Sequence, residues 1–179
     1  MIYKTDPIVA MDNNHINFIY SLMVCAKPKK VLEIGVGSGL VTNALLKGFE
    51  YNNLEVDLTC VDNFCDWNGV APEGFDTFSD HIRFINSSER DFTHEHKETY
   101  DFIVSDADHH HANEWIDLTV GLLNPGGALI CHDVTNPQFP NLHGIVSYAQ
   151  SKNLTHIIFN KSSLPHERCE RGLIAIFKK

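Results

Sequence analysis

The run Val31-Leu32-Glu33-Ile34-Gly35-Val36-Gly37-Ser38-Gly39 constrains this chain more than any other stretch. A short apolar segment holding one acid runs straight into three alternating glycines. Leu40, Val41, Ala44, Leu45, Leu46 and Phe49 then recur at helical spacing. The pattern predicts a strand, a tight turn and a helix. Glycines in such a turn let the backbone take dihedrals closed to other residues and let a ligand come close. The unpaired N–H groups at the start of the helix face that ligand. A dinucleotide fingerprint needs G-x-G-x-x-G. Gly35 and Gly37 fit it, but Leu40 stands in the third place and Gly39 comes one residue early. That spacing disfavours a nicotinamide-dependent oxidoreductase.

Residues 8–26 carry Ile8, Met11, Ile16, Phe18, Ile19, Leu22 and Met23, which predict an amphipathic helix. Lys27-Pro28-Lys29-Lys30 breaks it, because proline disfavours helix in the residue before it. After the glycine turn and its helix, residues 55–62 read as a second strand ending at Asp62. In a doubly wound sheet, ligands sit beyond the C-terminal ends of the strands. An acid placed there can accept hydrogen bonds from both hydroxyls of a ribose. Asn63 opens a long segment, 63–80, in which aromatics alternate with turn residues. Loops of that length in compact domains tend to be functional. This one either walls a pocket or buries its own aromatics as a satellite core.

Residues 81–86 are a third strand and 100–105 a fourth. The fourth ends in Asp106-Ala107-Asp108-His109-His110-His111. Two acids and three imidazoles at one strand end do little for stability. Buried carboxylates cost free energy unless paired, and clustered like charges raise a carboxyl pKa unless a cation intervenes. A helix holding Trp115, Ile116, Leu122 and Leu123 follows, closed by Asn124-Pro125-Gly126-Gly127. The fifth strand, 128–131, ends at His132-Asp133, and a helix runs from about 144 to 152. The last two strands, 155–159 and 172–177, are separated by a polar segment containing His166. With no helix between them, they should pair antiparallel.

The length of 179 residues suits one domain, 1–179, with 1–29 as an N-terminal helical extension. A formal net charge of -9 and the lack of a dense Lys/Arg run argue against nucleic acid as the main partner. No apolar stretch is long enough to span a bilayer, and the N-terminus lacks the apolar core of a signal peptide. The five cysteines are scattered with no C-x-x-C pair, which reads as reduced thiols in a cytoplasmic protein.

The landmarks Glu33-x-Gly35-x-Gly37-x-Gly39, Asp62, Asp106 to His109, and Asn124-Pro125-Gly126-Gly127 followed by His132-Asp133 stand in a familiar order. Together they resemble the class I S-adenosylmethionine (SAM) methyltransferases. The last two resemble signatures of the type 24 methyltransferase domain and, more distantly, of metal-dependent catechol-type O-methyltransferases. The resemblance covers about residues 30–177. It implies an α/β, Rossmann-like, doubly wound and mostly parallel seven-stranded sheet with an antiparallel last strand. It implies SAM as cofactor, held by Glu33, Gly35, Gly37, Gly39, Asp62, Asn63 and Asp106, with Ser88 and Glu89 as candidates for the adenine edge. The N-terminal helix of such enzymes often covers the cofactor or builds the acceptor pocket.

In the catechol-type enzymes, an acid after the fourth strand and an Asp-Asn pair after the fifth hold a magnesium ion. Asp106 and Asp133 match the acids, while Val134 stands where the Asn would be. His132 can supply the missing ligand, and carboxylates with imidazole suit Mn²⁺, Fe²⁺ or Zn²⁺ better than Mg²⁺. A site with no metal stays open as the alternative. Those enzymes also carry a Lys three residues beyond the first acid, where His109 stands here. A neutral imidazole serves as a general base near pH 7, so His109 and Asp106 are the expected catalytic pair. The resulting expectation is O-methylation of a small-molecule or sugar hydroxyl. The competing expectation is a non-catalytic module that binds SAM or S-adenosylhomocysteine (SAH). The small size favours a homodimer that completes the acceptor pocket.

Overall fold

The computed structural model describes residues 11–65, 69, 71, 75, 80–159 and 171–179. Residues 8–10 of the first helix, most of the 63–80 loop, and the 160–170 segment with His166 lie outside the described residues.

Helix α1 (Asn13–Ala26) precedes strand β1 (Val31–Ile34). Helix α2 (Leu40–Asn52), β2 (Leu58–Asp62), β3 (Arg83–Asn86), α3 (Glu89–Glu95) and β4 (Tyr100–Ser105) follow. Then come α4 (Ala112–Gly121), β5 (Leu123–His132), α5 (His143–Ser151), β6 (Thr155–Phe159) and β7 (Leu173–Phe177). The seven strands form one sheet in the order β3-β2-β1-β4-β5-β7-β6. Strands β1 to β5 are parallel, and β7 lies antiparallel between β5 and β6. This is the doubly wound, mostly parallel sheet expected from the sequence. Antiparallel neighbours need no crossover between them, which is why the last strand can reverse.

Alternation along each central strand builds two cores. Leu32, Ile34, Ile103, Leu129 and Cys131 face one side, with Phe92 of α3, Ile116 and Val120 of α4, and Ile145 of α5. Val31, Phe102, Val104, Ala128 and Ile130 face the other, with Ile19 and Met23 of α1 and Val41, Leu45 and Phe49 of α2. All four residues of β1 are buried, as a central strand covered on both faces requires. Helix α1 starts where the Asp12 carboxylate accepts from the Asn14 N–H at 2.7 Å. It ends at Lys27, in left-handed conformation just before Pro28. Its Met23 sits over Gly48, where a Cβ would come within 2.3 Å of the Met23 Cγ.

Strand β5 is longer than the 128–131 expected. It begins at Leu123, paired with Tyr100, and its register slips before Phe102 meets Ala128. Asn124-Pro125-Gly126-Gly127 therefore bulges inside a strand rather than ending a helix. The Gly126 N–H donates to the Lys178 carbonyl, and the Lys178 N–H to that of Gly127, so the C-terminus anchors the bulge.

The chain winds outward from β1 to β3, then returns to β4 on the other side of β1. The C-terminal ends of β1 and β4 thus form the switch point where doubly wound sheets bind ligands. Gly35 and Asp106 stand on its two lips.

Candidate active site

The glycine turn follows β1. Gly35, Gly37 and Gly39 all have positive φ, at 89°, 49° and 76°, which side chains disfavour. At Gly35 the reason is also steric: a Cβ would lie 2.4 Å from the Asp106 carbonyl oxygen. Asp62, at the end of β2, holds the turn. Its Oδ2 accepts from the N–H groups of Val36 at 2.8 Å and Gly37 at 2.9 Å. Its Oδ1 accepts from the Phe64 N–H. A carboxylate offers about four acceptor sites, so the residue read as a ribose acceptor also shapes the turn. Asn63 beside it accepts from the Cys65 N–H at 3.1 Å.

Glu33 lies beneath the turn, fully buried. Its Oε2 accepts from the Thr42 hydroxyl at 2.7 Å and the Cys60 thiol at 3.3 Å. It supports the turn from below rather than facing an open ligand site. Burial pushes its carboxyl up to about 8, against those two hydrogen bonds. Glu89, also buried, is pushed up by burial to about 7. A pKa raised on folding means the folded state binds the proton more tightly. The stability this confers is complete below the ordinary value of 4.5 and is lost as pH rises through about 7 to 8. The urea midpoint is therefore expected to fall from about pH 5 to about pH 8, and Glu33→Gln to flatten that slope. A midpoint that is level in the parent protein would show that neither acid resists ionisation.

Ser88 and Glu89 follow β3, as expected, but both are engaged in structure. The Ser88 hydroxyl caps α3, accepting from the Asp91 N–H at 3.1 Å. Glu89 Oε1 accepts from the Ser105 hydroxyl at 2.7 Å, and Oε2 accepts from the Asp108 N–H at 2.9 Å. Glu89 thereby fixes the loop that carries Asp106 and His109.

Across the switch point, the ends of β4 and β5 bring four chemical side chains together. His109 Nε2 lies 3.3 Å from Asp106 Oδ1 and 3.1 Å from Asp133 Oδ2. His109 Nδ1 lies 3.0 Å from the Ala107 carbonyl. All three partners are oxygens with no proton to give, so both ring nitrogens must donate. His109 is an imidazolium in this arrangement. Burial alone would lower its pKa, but the hydrogen bonds to Asp106 and Asp133 outweigh burial and carry it to about 11. Burial would raise Asp106, yet His132 and His109 hold it well below the ordinary carboxylate range. Phe139 packs over His109 with ring centroids 4.6 Å apart.

His132 stands behind Asp106, its side chain only 1% exposed. Its Nδ1 meets Asp106 Oδ1 at 3.2 Å and lies 3.7 Å from Asp133 Oδ2. Its Nε2 meets His15 Nδ1 at 2.9 Å. Burial lowers its pKa, but Asp106 and Asp133 outweigh burial and raise it. Among the described residues, atoms of Asp106, His109 and Asp133 lie within 4.8 Å of one another and could share one cation; His132, expected as a donor from the sequence, is not among them. Asp106 and Asp133 offer two carboxylate oxygens to a divalent ion, and His109 a nitrogen that either joins them or takes a proton, not both.

Two members of this site were not read from the sequence. Asn136 donates from Nδ2 to Asp133 Oδ1 at 3.1 Å. Its signal was the D-x-x-N spacing of Asp133 and Asn136. His15 comes from α1. Its signal was Met11-His15-Ile19-Met23, a buried stripe of period four with one polar member.

Comparison with known proteins agrees with this geometry. A family model described as a methyltransferase domain (type 24) matches residues 32–134. A search of curated sequences finds no match. A Klebsiella pneumoniae protein provisionally described as an O-methyltransferase superposes with TM-score 0.78 at 16% identity, over 97% of this chain and 83% of its own. The O-methyltransferase from Bacillus cereus, solved in complex with SAH, gives TM-score 0.74 at 18% identity, over 97% and 84%. The O-methyltransferase TomG from Streptomyces achromogenes, in complex with SAM, gives 0.72 at 14%, over 97% and 83%. Family match, switch-point glycine turn and strand-end acids converge: this chain belongs to the type 24 methyltransferase domain family and is a class I SAM-dependent methyltransferase.

Proposed function

We propose that this enzyme methylates a hydroxyl oxygen of a small-molecule acceptor, with His109 taking the proton and Asp106 and Asp133 seating a divalent cation. The observation that carries this reading is His109 Nε2, 3.3 Å from Asp106 Oδ1 and 3.1 Å from Asp133 Oδ2, beside the glycine turn. The O-methyltransferase neighbours from Bacillus cereus and Streptomyces achromogenes support it by fold.

SAM supplies a methyl on a sulfonium that an oxygen displaces in line. The chain has to align the two reactants and remove a proton. Alignment is the task of Gly35 to Gly39 and Asp62, and is worth up to about 7–11 kcal/mol in well-ordered sites. Proton removal falls to His109, which must first be free of its own second proton. Asp106 and Asp133 would hold a divalent cation, whose fixed positive charge would lower the proton affinity of His109 and of a nearby hydroxyl. With the two carboxylates engaged in that way, the His109 imidazole would be available near neutral pH.

The test is transfer of labelled methyl from SAM to catechol, phenol and methyl glucoside, with Mn²⁺ or with EDTA, across pH. With Mn²⁺, the rate on at least one hydroxyl acceptor is expected to level near neutral pH. In EDTA it should be lower and still climb above about pH 9, because His109 keeps its proton to about 11. Equal rates and equal profiles in both would remove the cation from the reading. Methyl recovered only on nitrogen or carbon in a wider panel would remove the hydroxyl.

A further inference from the structure

The buried contact between His15 and His132 joins the N-terminal helix to the site by a hydrogen bond spanning 117 positions of sequence. His15 is fully buried in the first turn of α1. Its ring meets that of His132 edge-on, with centroids 5.0 Å apart, and that of Phe159 edge-on at 5.5 Å. Its Nε2 has no hydrogen-bond partner among the described residues.

Hydrogen-bond accounting orients this pair. Asp106 Oδ1 accepts only, so His132 Nδ1, at 3.2 Å, must carry a proton. In a neutral His132 ring, Nε2 is then bare and must accept. His15 Nδ1, at 2.9 Å, must donate to it. That leaves His15 Nε2 bare, and this is the buried atom without a partner. No N–H is stranded. The reverse direction needs a second proton on His132 and pushes the proton of His15 onto its buried Nε2. The two carboxylates favour that second proton. The N–H it would strand on His15 Nε2, a buried atom with no partner among the described residues, opposes it.

We propose that His15 is a positioning residue: by donating Nδ1–H to His132 Nε2 it locks the His132 ring with Nδ1–H on Asp106, so α1 completes the site. The role rests on the reading of Asp106 and His109 as catalytic, but the hydrogen bond stands without it. His132 in turn holds the Asp106 oxygen that also faces His109. Such outer partners fix a ring's tautomer and the direction of the group it serves.

The test is nitrogen NMR of ¹⁵N-histidine-labelled full-length protein near pH 7, with the His132 ring assigned from His132→Gln. The parent protein should show a nitrogen–nitrogen scalar coupling between His15 Nδ1 and His132 Nε2, with the proton on His15. Absence of that coupling, or a proton on His132 Nε2, overturns the proposal without any variant. In His15→Asn, whose amide reaches about the place of Nδ1, the His132 Nδ1 signal should stay protonated and sharp. In His15→Phe it should shift toward the average of two exchanging tautomers. Unchanged His132 signals in His15→Phe, or equal shifts in both variants, overturn the proposal. SAH titration by calorimetry is the control and should agree within about twofold across the three proteins. If the parent fails to bind SAH, the functional reading fails while the His15–His132 result stands on its own.

Discussion

His109→Ala is expected to lower methyl transfer about 10²- to 10⁴-fold, the range for losing a positioned general base. The affinity for SAH should stay within about twofold, because the glycine turn and Asp62 make their hydrogen bonds without His109. The separation is physical. His109 touches Asp106 and Asp133 at the ends of β4 and β5, while the turn is held by Asp62 at the end of β2. The variant also removes the imidazolium that neutralises two neighbouring carboxylates. Stability from His109 is present below its ordinary pKa of 6.5 and lost as pH rises toward about 11. His109→Ala should therefore lose stability most at or below pH 6.5 and approach the parent at high pH. Adding Mn²⁺ should recover part of the loss near neutrality, since a cation on Asp106 and Asp133 relieves the same repulsion. Initial rates, SAH calorimetry and urea unfolding on one preparation check all three. Unchanged turnover with an acceptor that the parent methylates would remove His109 from the chemistry.

Gly35→Ala is expected to have the largest effect on the cofactor side. The new Cβ would sit 2.4 Å from the Asp106 carbonyl oxygen, 2.6 Å from its carbon and 2.9 Å from the Ala107 nitrogen. These are backbone atoms, so no side chain can swing away. Both lips are also pinned: the Gly35 N–H donates to the Val61 carbonyl at 2.9 Å, and the Asp106 N–H donates to that of Ile34 at 2.8 Å. A side chain at positive φ adds about 1–2 kcal/mol, and overpacking about 1–3 kcal/mol. A loss of about 3 kcal/mol lowers Tm by roughly 6–12 °C in a chain of this size. The strain falls on the Asp106–Ala107 peptide packed against the turn, so SAH affinity should drop more than about tenfold. Gly121→Ala is the control. That position ends α4, has no atom within 4 Å of a new Cβ and no positive φ, so the change should be neutral or slightly stabilising. Scanning calorimetry with SAH titration checks the pair. Equal Tm values for the two variants would mean that the lips separate at little cost.

Much of this architecture was legible because it is written locally. Val31 to Gly39 specifies strand, turn and helix through side-chain period and glycine placement. The carboxylates at 62, 106 and 133 were legible for a related reason. A strand's period identifies its end, and in a doubly wound sheet the strand ends share one edge. The antiparallel last strand was legible from the polar segment before it, which reads as a loop in the sequence.

What the sequence by itself determined was therefore which residues reach the ligand edge: the glycines, Asp62, Asp106, His109, His132 and Asp133. Only the tertiary structure decided what each of them does there. Asp62 clasps the turn, Glu89 is taken up by Ser105 and the Asp108 amide, and His132 is backed by His15. The physical reason is the same in each case. Periodicity assigns a side chain to a face, but a buried polar atom must find a partner, and that partner comes from whatever the fold brings within about 3 Å. For His132 that partner lay 117 residues away, on a helix whose only hint was one imidazole in an apolar stripe.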